Sequence, residues 1–201
     1  RRVQSVLSTF FLLFGCGGAA WMVRIPELRE SLDISVSVLG VALLIGALGS
    51  LAALLLSGQV IQEVGTRRAA IVGFGFLVAG QFIVSAGLLL PQFVVFVAGS
   101  FISGIGWGLS DVAINMEGTN LEKRTARTKL PFLHGMYSLG TLLGAGIGVA
   151  LIASHTPLPV QSAIFGALIL TTVILTVRTL PMETGLKVHA PVFGAETAAR
   201  P

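Results

Sequence analysis

Apolar residues run along this chain in blocks too long for the core of a soluble domain. Six stretches, at about 4–23, 36–57, 69–90, 93–118, 131–153 and 160–180, are almost free of charge. Each reaches the roughly 20 helical residues that a hydrocarbon core requires. None alternates apolar and polar positions in the manner of a transmembrane barrel, whose strands need only about ten residues. The pattern therefore predicts an all-α membrane protein: a bundle of six transmembrane helices over 1–180, then a tail over 181–201. In that tail Pro181, Gly185, Pro191 and Gly194 break any helix and the apolar stretch 188–194 is too short to span, so a linker is expected there.

Composition agrees with the pattern. Of the 201 residues 54% are apolar and 11% charged, with a mean hydropathy of +0.90; soluble domains carry about a quarter charged residues. The 25 glycines lie mostly inside the apolar blocks, where small residues let helices approach closely. A single cysteine, Cys16, excludes an internal disulfide and offers no metal-ligand spacing, and no cofactor is expected. The net charge of +4 does not point to nucleic acid, because Lys and Arg fall in short clusters between the blocks. With the N-terminus inside, eleven of them (Arg1, Arg2, Arg67, Arg68, Lys123, Arg124, Arg127, Lys129, Arg178, Lys187 and Arg200) lie on the cytoplasmic side and two, Arg24 and Arg29, outside. That bias predicts cytoplasmic termini. The segment 24–30, with Pro26 and four charges, is expected to be a solvated outer connector. Short outer connections at 91–92 and 154–159 predict that spans three and four, and spans five and six, are antiparallel neighbours.

The chemistry concentrates on the fourth and fifth spans. Trp107, Asp111, Asn115 and Gly118 follow one another at spacings of four, four and three, which places them on one helical face. An ionisable residue inside a span marks a functional site by default, since its burial is costly unless a partner or water relieves it. Asp111 is thus the candidate proton carrier, with Asn115 one turn away to hydrogen-bond it. On the fifth span His134, Tyr137, Ser138 and Thr141 share a face beside a small-residue stripe of Gly140, Gly144 and Gly148. The two polar faces are expected to border one cavity, giving Asn115, His134, Tyr137 and Trp107 as candidate substrate-binding residues. The blander readings are packing for Trp107 and a water-facing helix end for His134. Glu117 and Asn120 are expected near the inner mouth.

The segment between the second and third spans holds Gly58, Gly65, Arg67 and Arg68 at the spacing of a known loop signature, with Gln62 at its acid position and Glu63 at the basic one. Here the chain resembles the major facilitator superfamily. The resemblance implies a gating loop, Gly58, Glu63, Gly65, Arg67 and Arg68, with the charge order altered and Glu63 as the substitute acid. The stretches GIGWGLSDVAINMEG (104–118), LEKR (121–124) and LHGMYSLGT (133–141), with RIPELR at 24–29, resemble the fucose-permease-like sugar transporters, and most of all a bacterial inner-membrane branch. That likeness covers nearly the whole chain. It implies that a proton-coupling glutamate of the permeases falls on Asp111 and a sugar-binding asparagine on Tyr137. Their essential first-helix aspartate falls near Met22, so a two-carboxylate mechanism is not preserved.

The expectation is therefore the N-terminal half of a secondary transporter, not an enzyme: a proton symporter for a small polar solute such as a sugar. Its partners would be the solute, the proton, the lipid bilayer and a C-terminal six-helix half outside this segment, with no nucleic acid. A start at Arg1 rather than methionine and a tail that reads as a connector point to further chain at both ends. Proton-driven efflux of drugs or metabolites is the alternative, although the arginine usual on that helix in efflux branches is replaced near Ser100. A non-transporting scaffold is a further alternative. An intramembrane aspartyl protease would need a second embedded aspartate facing Asp111.

Overall fold

The computed structural model describes residues 2–182 and 184–187. They form seven α-helices: α1 (Arg2–Met22), α2 (Ile25–Ser31), α3 (Val36–Val64), α4 (Thr66–Leu89), α5 (Phe93–Thr125), α6 (Leu130–Ala153) and α7 (Leu158–Thr176), closed by a 3-10 turn at Val177–Thr179. All but α2 are long and apolar enough to cross a membrane. The chain is thus an all-α, multi-pass membrane protein. Two helices outrun their apolar blocks. α3 continues through Gly58 to Val64, and α5 runs to Thr125, because the polar residues that follow each block keep good helix formers and meet no proline.

The stretch 58–68 is consequently not a loop. α3 passes into α4 through Gly65 alone, whose φ of 83° is a left-handed value that favours glycine. The Gly65 N–H donates to the Ile61 carbonyl at 2.8 Å, and a Cβ at Gly65 would stand 2.7 Å from the Met182 carbonyl oxygen. The chain after α7 returns to this turn: Thr66 N–H donates to the Thr184 carbonyl at 2.8 Å and Lys187 N–H to that of Gln62 at 3.0 Å. The start of the expected linker therefore docks on the bundle, while residues 188–201 lie outside the described residues. This side of the bundle, which also holds the α5–α6 connection, is called the basic side below.

Two expectations about the opposite side need correction. Residues 24–30 are not a solvated connector, because Pro26 occupies the first turn of α2, where its missing N–H costs nothing. Arg24 is only 1% exposed. It grips the Glu27 carboxylate through both Nε (2.8 Å) and Nη2 (2.6 Å), donates to Gln161 Oε1 at 3.0 Å and to the Thr156 carbonyl. Nor does the short connection after α6 make α6 and α7 partners. α6 lies along α1 and α7 along α4, since the stripe of Gly140, Gly144 and Gly148 finds its flat counterpart on α1.

Lipid tails are as apolar as leucine, so helices here gain little from hydrophobicity and associate by close packing. α4 is the most buried span, held between α5 and α7. Its Gly73, Gly80 and Gly87 recur every seventh residue against the backbones of Ser110, Ser103 and Phe96 on α5. An aromatic core fills the middle: Phe10 stacks on Phe74 with centroids 4.4 Å apart, and Phe14 bridges Phe74 and Trp107. A smaller cluster around Leu28, Phe96 and Leu158 packs the opposite side.

Candidate functional site

Asp111 stands just past the middle of the 33-residue α5, a helix about 50 Å long at 1.5 Å per residue. Its depth follows from the continuation of α5 past the apolar block: the helix leaves almost four turns between Asp111 and its C-terminus. Asn115, one turn on, donates its Nδ2 to the Asp111 carbonyl at 2.9 Å and to Oδ1 at 3.2 Å. Both side chains border a cavity of about 580 Å³, also lined by Met116, Asn120, Lys123 and the docked Thr184 and Gly185. The arrangement is a carboxyl and its amide partner on an open groove walled by one spanning helix and residues 184–185, with Asn120 and Lys123 as further polar groups. A carboxyl so placed can take up or release a proton, and the amide remains hydrogen-bonded to its carbonyl in either state.

The expected union of the two polar faces is only partly realised. The cavity beside Asp111 is walled by α5 and residues 184–185, without α6. His134 and Tyr137 lie on the exposed face of α6, because the helix turns its glycines inward to α1. His134 shares its Nδ1 with the Leu130 carbonyl at 2.9 Å and meets Phe11 edge-on. Ser138 and Thr141 spend their hydroxyls on their own helix, on the carbonyls of His134 and Tyr137. Trp107 leaves the Asp111 cavity and leans on Phe14. It lines a second cavity, toward the opposite side.

Of the expected gating loop, Gly58 lies within α3 with open space where a Cβ would point. Gly65 makes the turn. Among the described residues Glu63, Arg67 and Arg68 form no ion pair. The acid that does reach this turn is Glu117, 1% exposed, whose Oε2 accepts from Thr66 Oγ1 at 3.0 Å. Asn120 beside it donates to Thr184 Oγ1 at 3.0 Å. Sequence reasoning placed Glu117 near a mouth and missed this burial. Glu122 was missed as well: its Oε1 accepts from the N–H groups of Lys129 (2.6 Å) and Leu130 (2.9 Å), which caps the start of α6. The start of α2 had a signal, since Pro26 and Glu27 together form a helix-start pattern, but the burial of Arg24 had none. Gln81 of α4, buried with its Nε2 donating to Ser103 Oγ at 3.0 Å, was missed too, and its signal was an amide standing alone in an apolar span.

Comparison with known proteins bears on what such a bundle does. No family model matches the chain. It is 30% identical over 152 residues to the uncharacterized transporter y4wD of Sinorhizobium fredii, covering 75% of this chain and 39% of that protein. It is 29% identical over 142 residues to an uncharacterized MFS-type transporter of Yersinia pestis, covering 68% and 35%. It is 30% identical over 134 residues to the membrane protein MosC of Rhizobium meliloti, covering 67% and 32%. The chain thus spans about two-fifths or less of the length of the curated relatives it matches.

Proposed function

We propose that this chain, whose six spanning helices are consistent with one half of a major facilitator superfamily fold, is the N-terminal half of a secondary active transporter. The reading is proton-coupled symport of a small polar solute, such as a sugar, across a cell membrane, with both termini cytoplasmic. The relatives named as transporters support transport. The excess of Lys and Arg on the basic side supports the orientation. The observation that carries the mechanism is Asp111, hydrogen-bonded to Asn115 on a cavity midway along a membrane-spanning helix. Ionisable groups so placed mark ion and proton pathways.

In this mechanism the Asp111 carboxyl takes a proton together with the solute on one side and releases it after the halves have rocked about the site. Asn115 orients the carboxyl. Trp107, His134 and Tyr137 present substrate-facing surface, and the Gly65 turn with Arg67 and Arg68 forms part of the inner gate. The test uses the complete transporter in proteoliposomes with radiolabelled neutral monosaccharides. Under an imposed pH gradient the parent protein accumulates its solute. Asp111→Asn keeps the shape and the amide contact, so it retains solute exchange at equal pH and loses accumulation at least tenfold. Undiminished accumulation in that variant overturns the assignment.

A further inference from the structure

The groove beside Asp111 runs along α5 as far as Lys123, and opposite that helix stands the segment after α7, through Thr184 and Gly185. The segment crosses α5 on the basic side of Asp111. There Asn120 Nδ2 donates to Thr184 Oγ1 at 3.0 Å, and a Cβ on Gly185 would stand 3.1 Å from Met116 Sδ and 2.5 Å from Ile61 Cγ2. Glycine is required at this crossing, since Gly185 also holds a left-handed φ of 84°.

Two backbone hydrogen bonds fasten the segment on either side of the Gly65 turn, from Thr66 N–H to the Thr184 carbonyl and from Lys187 N–H to the Gln62 carbonyl. Thr66 is held a second time, by its Oγ1 donating to Glu117 at 3.0 Å. The segment, the turn and α5 therefore meet in one hydrogen-bonded network. What it lacks is hydrophobic anchorage: Leu186 is 40% exposed, Lys187 is exposed, and Thr184 and Gly185 are half-buried. Water competes for hydrogen bonds at the membrane surface, so their net hold is modest. A segment held by few apolar contacts and by exposed backbone bonds opens locally while the helices beneath it stay folded.

We infer that residues 184–187 are a detachable strap over the basic-side end of the Asp111 groove: docked, they close it to water, and lifted they open it without any change within α5. Placement carries the inference. Asp111 and Asn115 stand on one side of the crossing, and Lys123 with the C-terminal end of α5 on the other. Anything that moves along α5 between Asp111 and the basic surface passes Thr184 and Gly185. That the strap governs proton exchange at Asp111 rests on the transport reading above; its closing of the groove does not.

The test places a reporter by Thr119→Cys in the complete transporter with its native cysteines replaced. Thr119 lines the groove and spends its hydroxyl on its own helix. In lipid nanodiscs a charged methanethiosulfonate labels the reporter, and the rate, read by mass spectrometry, measures access. Gln62→Cys with Lys187→Cys, oxidised to a disulfide, locks the strap, and Gly185→Ala lifts it by driving its Cβ into Ile61. Locking should slow labelling at Thr119→Cys at least tenfold relative to the same protein reduced, and Gly185→Ala should speed it at least tenfold relative to its parent. A reporter from Ala126→Cys, on the exposed connection between α5 and α6, should keep one rate throughout. Circular dichroism reports folding, and where Gly185→Ala unfolds the protein the disulfide decides. Failure of the disulfide to form, equal rates at Thr119→Cys in the locked and reduced protein, the parental rate in folded Gly185→Ala, or a parallel change at Ala126→Cys overturns the inference. Undiminished accumulation by Asp111→Asn would remove the coupled proton and leave these rates untouched; equal rates would remove the strap and leave the effect of Asp111→Asn.

Discussion

Among the helix pairs that meet backbone to backbone through glycine, α4 with α5 and α1 with α6 differ in their surroundings. α4 is enclosed on its other flank by α7, and the glycines of α4 and α5 interleave: Gly106 of α5 faces Gly73 and Leu77, while Gly99 faces Ile83 and Val84. α6 buries its glycine stripe and Leu133 and leaves most of its remaining surface open. The first pair is a keel around which the other helices are laid. The second is a rail fixed along one edge. Close approach alone does not make a helix central; what lies on its other faces decides.

The comparison can be broken by adding carbon at matched positions. Gly106→Val would drive a side chain into the Leu77 backbone, with the Gly73 carbonyl oxygen 2.7 Å from the new Cβ. With α4 held on both sides, the cost should exceed about 3 kcal/mol, the upper range for overpacking. Size-exclusion chromatography should find no monodisperse folded protein. Gly144→Val meets the Cys16 backbone in the same way, but α6 can lift away from α1. Hydrogen exchange should accelerate over 130–153 while α4 and α5 keep their protection, at a cost of roughly 1–3 kcal/mol. Uniform loss of protection would show the two seams to be equivalent. The smallest effect is expected at Gly146, on the open face of α6, where nothing lies within 4 Å of an added Cβ. Gly146→Ala should raise stability by about 0.5 kcal/mol through helix propensity, read as a higher unfolding temperature.

The architecture was legible because the bilayer imposes length. Six apolar blocks become six spanning helices, and the polar side chains among them stand out against a background in which each is costly. The pairing of Asp111 with Asn115 was legible from helical spacing alone, whereas Trp107, on the same face by spacing, lines a different cavity. What escaped was pairing. Nothing in Gly140, Gly144 and Gly148 names α1 as the partner, and a short connection constrains where two helices begin rather than what they lie against. The union of α5 and α6 polar faces failed on this point, since rotating α6 to seat its glycines turns His134 and Tyr137 outward. Arg24 escaped for another reason: its partners Gln161 and Thr156 lie on the far end of the sequence, and a charge beside a proline in isolation reads as water-facing.

The hydrogen bonds that join the Gly65 turn to residues 184–187 bear on how the protein is made. The N–H of Thr66 and the carbonyl of Gln62 emerge from the ribosome with the second and third spans, while Thr184 and Lys187 follow only after the sixth. Until then those groups, with the Asn120 amide, remain hydrated at the membrane surface. Insertion of these spans and completion of this face are therefore separate events in biogenesis, and a translation intermediate halted before Leu180 would carry α1 to α7 yet present an unfinished surface to the quality-control machinery.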